Sequence, residues 1–507
     1  MEERVSEMSS MDYFQLLKLA GPEAVLALAA LAVLAVDLIW MRQAPIPQRQ
    51  RAGAFVSILG CVGAALCAWQ ITGFGSFANG MLVIDPLTLL LKGALLVLTV
   101  FTVLLSVDRD FTEHVGEFFA LILLATVGMM LLVSSEDLLM IFVSLELTSL
   151  SLYILTAFQK RSALSAEAAL KYFLFGGMAA AFLLFGLSLL YGLSGSTHLG
   201  GIAEGLVGKE NDPLLTVALA MTVIGFGFKI AVVPFHLWAP DTYQGAPLAT
   251  AAFVASGSKV ASFFVLAKVM MLGFAGVQGD AGWRHLMVGW APLLAVLALL
   301  SMLLGNLVAI VQGNVRRLLA YSAIAHSGYA LLGVMSNSAE GMTALVYYTV
   351  TYGLTTLGAF GVVAVVEERT GSASLSSFAG LGRRSPILGL SMMVFMLSLA
   401  GIPPLAGFFG KFYLFVGAIR TGSPNIGLVW LVVVAIAMSA VSLYYYLQVL
   451  KQIYVAEEPA ATAEVSGETN LVTCCAVGAL AVLVVLLGCF PNLLVGPVLA
   501  ATGAAGL

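Results

Sequence analysis

Long apolar runs, separated by short polar segments, follow one another along nearly the whole chain. A helix needs about 20 predominantly apolar residues to cross the hydrocarbon core of a bilayer. The loops between the runs are too short to hold a soluble domain. The predicted fold class is therefore an all-α polytopic membrane protein. The pattern predicts about 14 spans, at residues 23–41, 51–71, 84–107, 117–134, 137–158, 168–193, 213–240, 246–272, 288–311, 314–335, 340–366, 386–419, 426–453 and 471–499.

The composition agrees with a membrane protein. Of 507 residues, 60% are hydrophobic and 10% are charged, whereas a soluble protein carries about 25% charged residues. The five cysteines lie in apolar runs without metal-binding spacing, and the chain contains no nucleotide-binding or hydrolase motif. We therefore expect no cofactor and no metal in this chain. The net charge of −4 and the lack of a basic patch argue against a nucleic-acid partner.

Lysine and arginine are unevenly distributed between alternate loops. Because these residues are enriched in cytoplasmic loops, the richer set is predicted to face the cytoplasm and both chain termini to face the outer side. For most of these residues topology is the whole explanation. The richer set is Arg42, Arg49, Arg51, Arg109, Lys160, Arg161, Arg316, Arg317, Arg369, Arg383, Arg384 and Lys451, and the poorer set is Arg4, Lys18, Lys209, Arg284 and Arg420.

Two proline-containing segments interrupt otherwise continuous spans, VVPFHLWAP at 232–240 and GIPPLAGFFGK at 401–411. Each falls on the fourth helix of a group of five. Because the two groups are offset by five helices, an odd number, they would cross the membrane in opposite directions. Inverted repeats with matching broken helices are typical of transporters. The predicted units are an N-terminal three-helix segment at 1–116, a first repeat at 117–272, a second repeat at 273–455 and a C-terminal helix at 456–507.

Ionisable residues inside the apolar runs are the candidate functional groups, because a charge is costly within a membrane and commonly marks an ion pathway. Glu146 lies near the middle of the fifth span, with Ser149 and Tyr153 on the same helix face. Lys229, beside the first proline break, is the candidate partner for its charge. The alternative is a structural ion pair that only fixes helix packing.

Lys259 lies midway along the eighth span, too far from either membrane surface for its side chain to snorkel. Burial disfavours the charged form of a lysine, which makes proton exchange at neutral pH feasible. Ser256 and Ser262 flank it by one turn. We expect Lys268, near the end of the same span, to snorkel, and Lys92 to anchor the third span at the interface.

Three further residues complete the set. His326, in the tenth span, is of a type that titrates near neutral pH and could pass a proton between lysines; the alternative is a hydrogen-bonded packing residue. Lys411 follows the second proline break, as Lys229 lies beside the first. Lys171 starts the sixth span, where it serves either as an access gate or as an interfacial anchor.

Three motifs resemble a known family: KIAVVPFHLWAPDTYQGAP at 229–247, NVRRLLAYSAIAHSGY at 314–329 and LSLAGIPPLAGFFGKFYLF at 397–415. They are similar, in the same order, to motifs of the proton-conducting antiporter-like subunits of respiratory complex I and of Mrp sodium/proton antiporters. The resemblance extends over roughly residues 80–455. Within the family, the lack of a long lateral helix, the lysine at 411 and the form of the first motif favour the N type of complex I subunit.

The resemblance implies roles for the buried residues and for other chains. Glu146 and Lys229 would form an essential ion pair, Lys259 would be the central lysine, His326 the connecting histidine and Lys411 the exit-side lysine. NADH, flavin, iron–sulfur clusters and quinone would be bound by partner subunits of a bacterial inner-membrane NADH–quinone oxidoreductase, alongside other membrane-arm subunits. A Mrp-type sodium/proton antiporter subunit and a purely structural scaffold are the alternatives.

Overall fold

The structure is a computed structural model, and it describes residues 17–107, 112–283, 285–420, 427–457 and 471–506. Three of the loop charges used to predict the topology, Arg4, Arg109 and Arg284, lie outside these residues. The described chain is largely helical, with two short β-hairpins in loops.

Aspartates define where two of the early helices begin. Asp85 and Asp137 precede α3 and α5 and accept hydrogen bonds from backbone N–H groups of the first turn, which satisfies donors that have no partner within the helix. The helices of the first part of the chain are α1 (Gly21–Ala35), α2 (Ile46–Trp69), α3 (Pro86–Leu105), α4 (Val115–Val133), α5 (Leu138–Thr156), α6 (Ala163–Ser194), α7 (Leu199–Gly205), α8 (Pro213–Ile230), α9 (Trp238–Gly245), α10 (Leu248–Ala255) and α11 (Gly257–Lys268).

The second part of the chain continues in the same way. Its helices are α12 (Trp290–Ile310), α13 (Val315–Met335), α14 (Ala339–Thr370), α15 (Leu381–Arg384), α16 (Pro386–Ala400), α17 (Ala406–Arg420), α18 (Val429–Tyr454), α19 (Leu471–Cys489) and α20 (Asn492–Ala505). Strands β1 (Gly75–Phe77) and β2 (Leu82–Ile84) form one antiparallel hairpin, and β3 (Asp280–Gly282) and β4 (His285–Met287) form the other. Short π-helical segments, Val36–Trp40 and Val269–Gly273, follow α1 and α11, and 3₁₀ turns lie at Ala275–Val277 and Leu375–Phe378.

Thirteen helical segments of the described chain are long and apolar enough to cross a membrane. The remaining predicted span is the pair α16 and α17, which are each 15 residues long and are separated by the second proline break. The prediction of an all-α polytopic membrane protein is thereby confirmed. The relation of spans 4–8 to spans 9–13 by an inverted repeat stays a prediction.

Both proline segments break their helices. α8 ends at Ile230 and is followed by Ala231 in the left-handed region, with φ of 56°; α16 ends at Ala400 and is followed by Gly401, with φ of 87°. A left-handed residue after the last helical turn ends a helix, and glycine adopts that conformation more readily than alanine. Each break therefore leaves the last carbonyls of a helix free to bind other groups.

Protein groups satisfy the backbone freed at the first break. The carbonyl of Phe228 accepts a hydrogen bond from Trp238 Nε1 at 3.0 Å, and the N–H of Val233 donates to Ser301 Oγ at 2.9 Å. Lipid offers no such partners, so an irregular backbone is stable at membrane depth only inside protein or beside water.

The eighth span is kinked at Ser256, which the sequence did not predict. α10 ends at Ala255 and α11 begins at Gly257, and Ser256 between them has φ of −113° and ψ of −83°. Ser256 Oγ donates to the carbonyl of Ala252 at 2.7 Å, and a serine that bonds the carbonyl four residues back often bends a helix. The kink places Lys259 in the first turn of α11.

The last predicted span, at 471–499, is two helices rather than one. α19 ends at Cys489, and Pro491 immediately precedes α20. Proline is favoured at the start of a helix but not in its interior, so it separates the two. The predicted single C-terminal helix is therefore wrong in this detail.

The centre of the protein is α14, because every residue in its most apolar window is buried. In α13 and in the span formed by α10 and α11, 94% of the corresponding residues are buried, compared with 33% in α1, α6, α18 and α19. The central helices carry Lys259, His326 and Tyr348. The polar residues of the sequence are thus concentrated where lipid does not reach.

Candidate functional site

Lys229 lies at the end of α8 and contacts the polar face of α5. Its Nζ donates a hydrogen bond to Ser149 Oγ and lies 3.4 Å from the Tyr153 hydroxyl. The rings of Tyr153 and Phe228 each stand 5.5 Å from the same nitrogen. Ser149 and Tyr153, two of the three residues that the sequence assigned to one face of α5, therefore contact Lys229.

Glu146 does not contact Lys229 in this conformation. Among the described residues, none forms an ion pair with Glu146 within 4.0 Å, and the carboxylate is partly exposed at the side of α5. Lys229 is held one turn farther along, on Ser149. The predicted direct pair is therefore open here, and its role stays a prediction.

Lys259 is almost fully buried, at 2% exposure, and has two hydrogen-bond acceptors on α13. Its Nζ donates to the carbonyl of Ala323 and to Ser327 Oγ, both at 2.8 Å. Ser327 Oγ also lies 2.6 Å from the carbonyl of Ile230, at the end of the broken helix α8. Lys259 is thus connected through one hydroxyl to the residue that follows Lys229.

His326 lies between two tyrosine hydroxyls. Its Nδ1 is 2.6 Å from the Tyr348 hydroxyl, and its Nε2 is 3.1 Å from the Tyr446 hydroxyl. A neutral imidazole donates from one nitrogen and accepts at the other, and this pair of hydroxyls suits either tautomer. Ser322, one turn before His326 on α13, places its Oγ 2.5 Å from the same Tyr446 hydroxyl.

Lys411, on α17, occupies the second break. Its Nζ donates to the carbonyls of Leu399 and Ala400 at 2.9 and 3.1 Å, and to Ser439 Oγ at 2.8 Å. These carbonyls belong to the last residues of α16, where a helix has unsatisfied acceptors and partial negative charge. The break is therefore what creates the binding site for the ammonium group.

Aromatic rings fill the space between these three residues. Lys259 Nζ stands 5.8 Å from the Tyr352 ring, which lies 4.9 Å from the His326 ring. On the other side, the Tyr329 ring lies 5.6 Å from His326 and 5.1 Å from Lys411 Nζ. The structure therefore brings Lys259, His326 and Lys411 into one buried row, which Lys229 joins through the end of α8.

Lys171 lies outside this row. Its Nζ contacts Asp241 Oδ2 at 2.6 Å and Glu167 Oε1 at 2.7 Å, while Asp241 Oδ1 accepts from Arg317 Nη1 at 2.7 Å. We call Lys171, Asp241 and Arg317 the Asp241 cluster. It joins α6, α9 and α13 at the end of the bundle where α6 begins.

A stack of aromatic rings separates the Asp241 cluster from Lys229. Tyr172, the residue after Lys171, stacks on Trp238 with ring centroids 4.3 Å apart and planes at 9°. Trp238 lies 5.1 Å from the Phe228 ring, next to Lys229. This position is compatible with both interpretations of Lys171, because an interfacial anchor and an access gate would each lie on the side of the stack that is remote from Lys229.

Two other lysines are not where the sequence placed them. Lys268 does not snorkel: it is 1% exposed and pairs with Glu136 at 2.8 Å. Lys92 is not an interface anchor: it is fully buried and pairs with Glu23 at 2.8 Å. In both cases an acidic residue from a distant part of the chain pairs with the buried lysine. A buried charge without such a partner would strongly destabilise the folded protein.

Some residues of the row were missed from the sequence. Ser327 follows His326 directly, and Tyr446 and Ser439 lie on α18, a helix to which the sequence assigned no role. The spacing of Ser439, Ser442 and Tyr446 at i, i+3 and i+7 is the signal that could have identified one polar face of α18. In the described part of the chain, no group of three or more His, Cys, Asp or Glu residues is arranged to hold a metal ion.

Comparisons with known proteins agree on one family. The family model described as "NADH:quinone oxidoreductase/Mrp antiporter, TM" matches residues 135–439. A protein of Acidobacterium capsulatum named "NADH-quinone oxidoreductase subunit N 2" is 51% identical over 501 residues, which cover 96% of this chain and 99% of that protein.

Solved structures extend the similarity to the fold. A chain of respiratory complex I from Thermus thermophilus with bound aureothin is 34% identical, with a TM-score of 0.74, over 94% of this chain and 98% of that one. A chain of the Mrp complex from Dietzia sp. has a TM-score of 0.81 at 22% identity, over 97% of each chain. The second similarity is one of fold alone.

Proposed function

Because this chain belongs to the NADH:quinone oxidoreductase/Mrp antiporter transmembrane family, we propose that it is a proton-translocating subunit in the membrane arm of an NADH–quinone oxidoreductase. The observation that carries the proposal is the buried row of Lys259, His326 and Lys411, in which each ammonium group has oxygen acceptors and no acidic partner in contact. A lysine without a fixed counter-ion can give up and regain a proton. Structural lysines in this chain, such as Lys268, are instead paired.

The proposed path begins at Lys229 and passes Lys259 and His326 to Lys411. Glu146 would regulate the first step, since a carboxylate at about 4 Å from an ammonium contributes roughly 4 kcal/mol at the effective dielectric of a protein. Its approach would hold a proton on Lys229, and its withdrawal would release that proton towards Lys259. The open arrangement of Glu146 and Lys229 described above corresponds to the releasing state.

The redox chemistry is proposed to take place in partner subunits. NADH, flavin, iron–sulfur clusters and quinone would be bound there, and this chain would contact neighbouring antiporter-like and small membrane subunits as well as lipid. The name of the relative in Acidobacterium capsulatum supports this assignment. The proposed location is the bacterial inner membrane, with both chain termini on the outer side, as the distribution of loop charges favours.

The two groups of five spans are proposed to be inverted repeats. Both fourth helices break in the same manner, with a left-handed residue after the last turn, Ala231 in one and Gly401 in the other. Both breaks also supply a carbonyl to the buried row, directly at Lys411 and through Ser327 at Lys259. The proposed boundaries remain 117–272 and 273–455.

A subunit of a Mrp-type sodium/proton antiporter is the second candidate, and the fold similarity to the Mrp complex favours it. The identity of 51% to a protein named as an oxidoreductase subunit favours the first. Redox-independent, sodium-dependent proton transport by the wild-type complex would select the antiporter.

The proposal is tested with Lys259→Ala in inverted membrane vesicles, measuring proton uptake, NADH–quinone electron transfer and assembly. A positioned proton-transfer group is commonly worth two or more powers of ten in rate, so we expect both rates to fall roughly a hundredfold or more in an assembled complex. Lys451→Ala, at an exposed lysine of α18, is the control and should pump normally. Normal proton uptake by the Lys259→Ala variant would show that Lys259 is a packing residue and not part of the proton path.

A further inference from the structure

Helix α18 contacts two members of the buried row at once. Tyr446 reaches His326 Nε2 with its hydroxyl at 3.1 Å, and Ser439, two turns earlier, binds Lys411 Nζ at 2.8 Å. Residues at i, i+3 and i+7 share one face of a helix. Ser439, Ser442 and Tyr446 therefore lie along one face of α18, with the contact to the histidine at one end and the contact to the lysine at the other, and we call them the α18 hydroxyl line.

The middle of the line is suited to pass a proton. Ser442 is 1% exposed and donates to the carbonyl of Ser439 at 2.6 Å. Side chains in a helix lean towards its amino end, so the side chain of Tyr446 is expected to extend towards the turn that contains Ser442. The Cβ atoms of residues one turn apart stand about 5–6 Å from each other, and a water molecule between the two hydroxyls would complete the connection.

The direct line from His326 to Lys411 is closed to protons. The ring of Tyr329 stands between them, 5.6 Å from the imidazole and 5.1 Å from Lys411 Nζ. The hydroxyl of Tyr329 is directed elsewhere, to Asn306 at 3.0 Å. Aromatic carbon offers no exchangeable proton, so a proton that travels between these residues has to go around the ring.

We propose that the α18 hydroxyl line is this route, with Tyr446, Ser442 and Ser439 passing the proton from His326 to Lys411. The proposal rests on the proposed function, because it assumes that a proton moves between those two residues. It assigns a role in transfer to a helix that otherwise lies at the periphery of the bundle.

The transfer balances without a charged hydroxyl. As a proton is taken up at Nδ1, beside Tyr348, the proton on Nε2 moves to the oxygen of Tyr446. Tyr446, whose hydroxyl also lies 2.5 Å from Ser322 Oγ, releases its own hydroxyl proton to a bridging water, which passes one of its protons to Ser442. Each following hydroxyl accepts one proton and releases another. The last proton forms an N–H bond on the neutral amine of Lys411. The imidazole then carries its proton on Nδ1 and returns to its first tautomer before the next transfer.

The test compares variants that each remove one oxygen atom. Tyr446→Phe and Ser442→Ala interrupt the line, whereas Tyr347→Phe is the matched control, since Tyr347 is an equally buried tyrosine whose hydroxyl donates to the carbonyl of Leu487 at 2.8 Å, away from the line. Proton uptake and coupled NADH oxidation in inverted vesicles are expected to fall roughly tenfold in the first two variants. The control should stay near the wild-type rate.

Including Lys411→Ala separates this inference from the proposed function. If Lys411→Ala pumps normally, the proposed function itself fails. If Lys411→Ala is impaired while Tyr446→Phe and Ser442→Ala pump normally, only the α18 hydroxyl line is overturned. An equal loss in Tyr347→Phe would overturn it too, since any buried tyrosine hydroxyl would then matter. Should Tyr446→Phe fail to assemble, Ser442→Ala decides the question alone.

Discussion

Asp241→Asn decides between the two interpretations of Lys171. Asp241 binds Lys171 with one carboxylate oxygen and Arg317 with the other, and so holds α9 against α6 and α13. The substitution keeps the size of the side chain but leaves two cations facing a neutral group. If the Asp241 cluster closes access to Lys229 through the stacked rings of Tyr172 and Trp238, then α9 should open more often in the variant.

The expected size of the effect follows from the exposure of the cluster. Lys171, Asp241 and Arg317 expose 38%, 28% and 29% of their side chains, so solvent screens both ion pairs. Exposed pairs contribute about 0.2–1 kcal/mol each, which gives about 0.5–2 kcal/mol for the two together. Since a factor of ten corresponds to about 1.4 kcal/mol, opening should increase between about twofold and thirtyfold. A cluster of this strength biases a gate without locking it.

Hydrogen exchange of the α9 amides, followed by mass spectrometry on the assembled complex, measures this opening directly. Glu167→Gln is the matched control, because it removes only the bridge from Lys171 to a residue one turn away on the same helix, at 2.7 Å. We expect faster exchange in α9 for Asp241→Asn alone. Unchanged exchange, or the same increase in Glu167→Gln, would refute the gate and leave Lys171 as an interfacial anchor.

Two further predictions concern the other lysines. Glu136→Gln should lower the free energy of unfolding by about 3 kcal/mol, because it leaves the buried Lys268 without a counter-charge. Lys268→Met should lower it less, since the Glu136 side chain that remains is 18% exposed to solvent. Detergent-titration unfolding of both variants measures this order, and the reverse order would contradict the reasoning. Ser327→Ala should slow proton uptake severalfold in an assembled complex, because Lys259 loses one of its two acceptors. Ser258→Ala should not, because the Ser258 hydroxyl bonds the carbonyl of Val254 within the same span.

The parts of the structure that depend on local chemistry could be predicted from the sequence. Apolar length alone placed the spans, and the prolines after Ile230 and Ala400 placed both breaks, because a proline inside a helix removes a backbone hydrogen bond and clashes with the preceding turn. Lys259, His326 and Lys411 were identified because a charged or polar residue far from both ends of a span cannot reach water. These rules need no knowledge of which helices are neighbours.

The parts that depend on helix packing could not be predicted. Lys268 has a buried partner only because the loop before α5 lies beside the end of α11, and nothing near Lys268 in the sequence indicates Glu136. The kink at Ser256 depends on one side-chain hydrogen bond rather than on proline. Tyr446 became part of the site because α18 packs near α13, a relation that no motif in either helix records.

Helix dipoles stabilise positive charge better at Lys411 than at Lys259. Lys411 binds the last carbonyls of α16, where the helix carries partial negative charge, whereas Lys259 lies in the first turn of α11, where it carries partial positive charge. Each such placement is worth about 0.3–1 kcal/mol, and up to about 2 kcal/mol when partly buried. The difference between the two sites is therefore roughly 1–3 kcal/mol in favour of an ammonium at Lys411. Lys229 lies in the last turn of α8, so the dipoles also favour an ammonium there over one at Lys259. The redox-linked step is therefore needed to move the proton from Lys229 to Lys259 and to release it from Lys411, rather than to move it from Lys259 to Lys411.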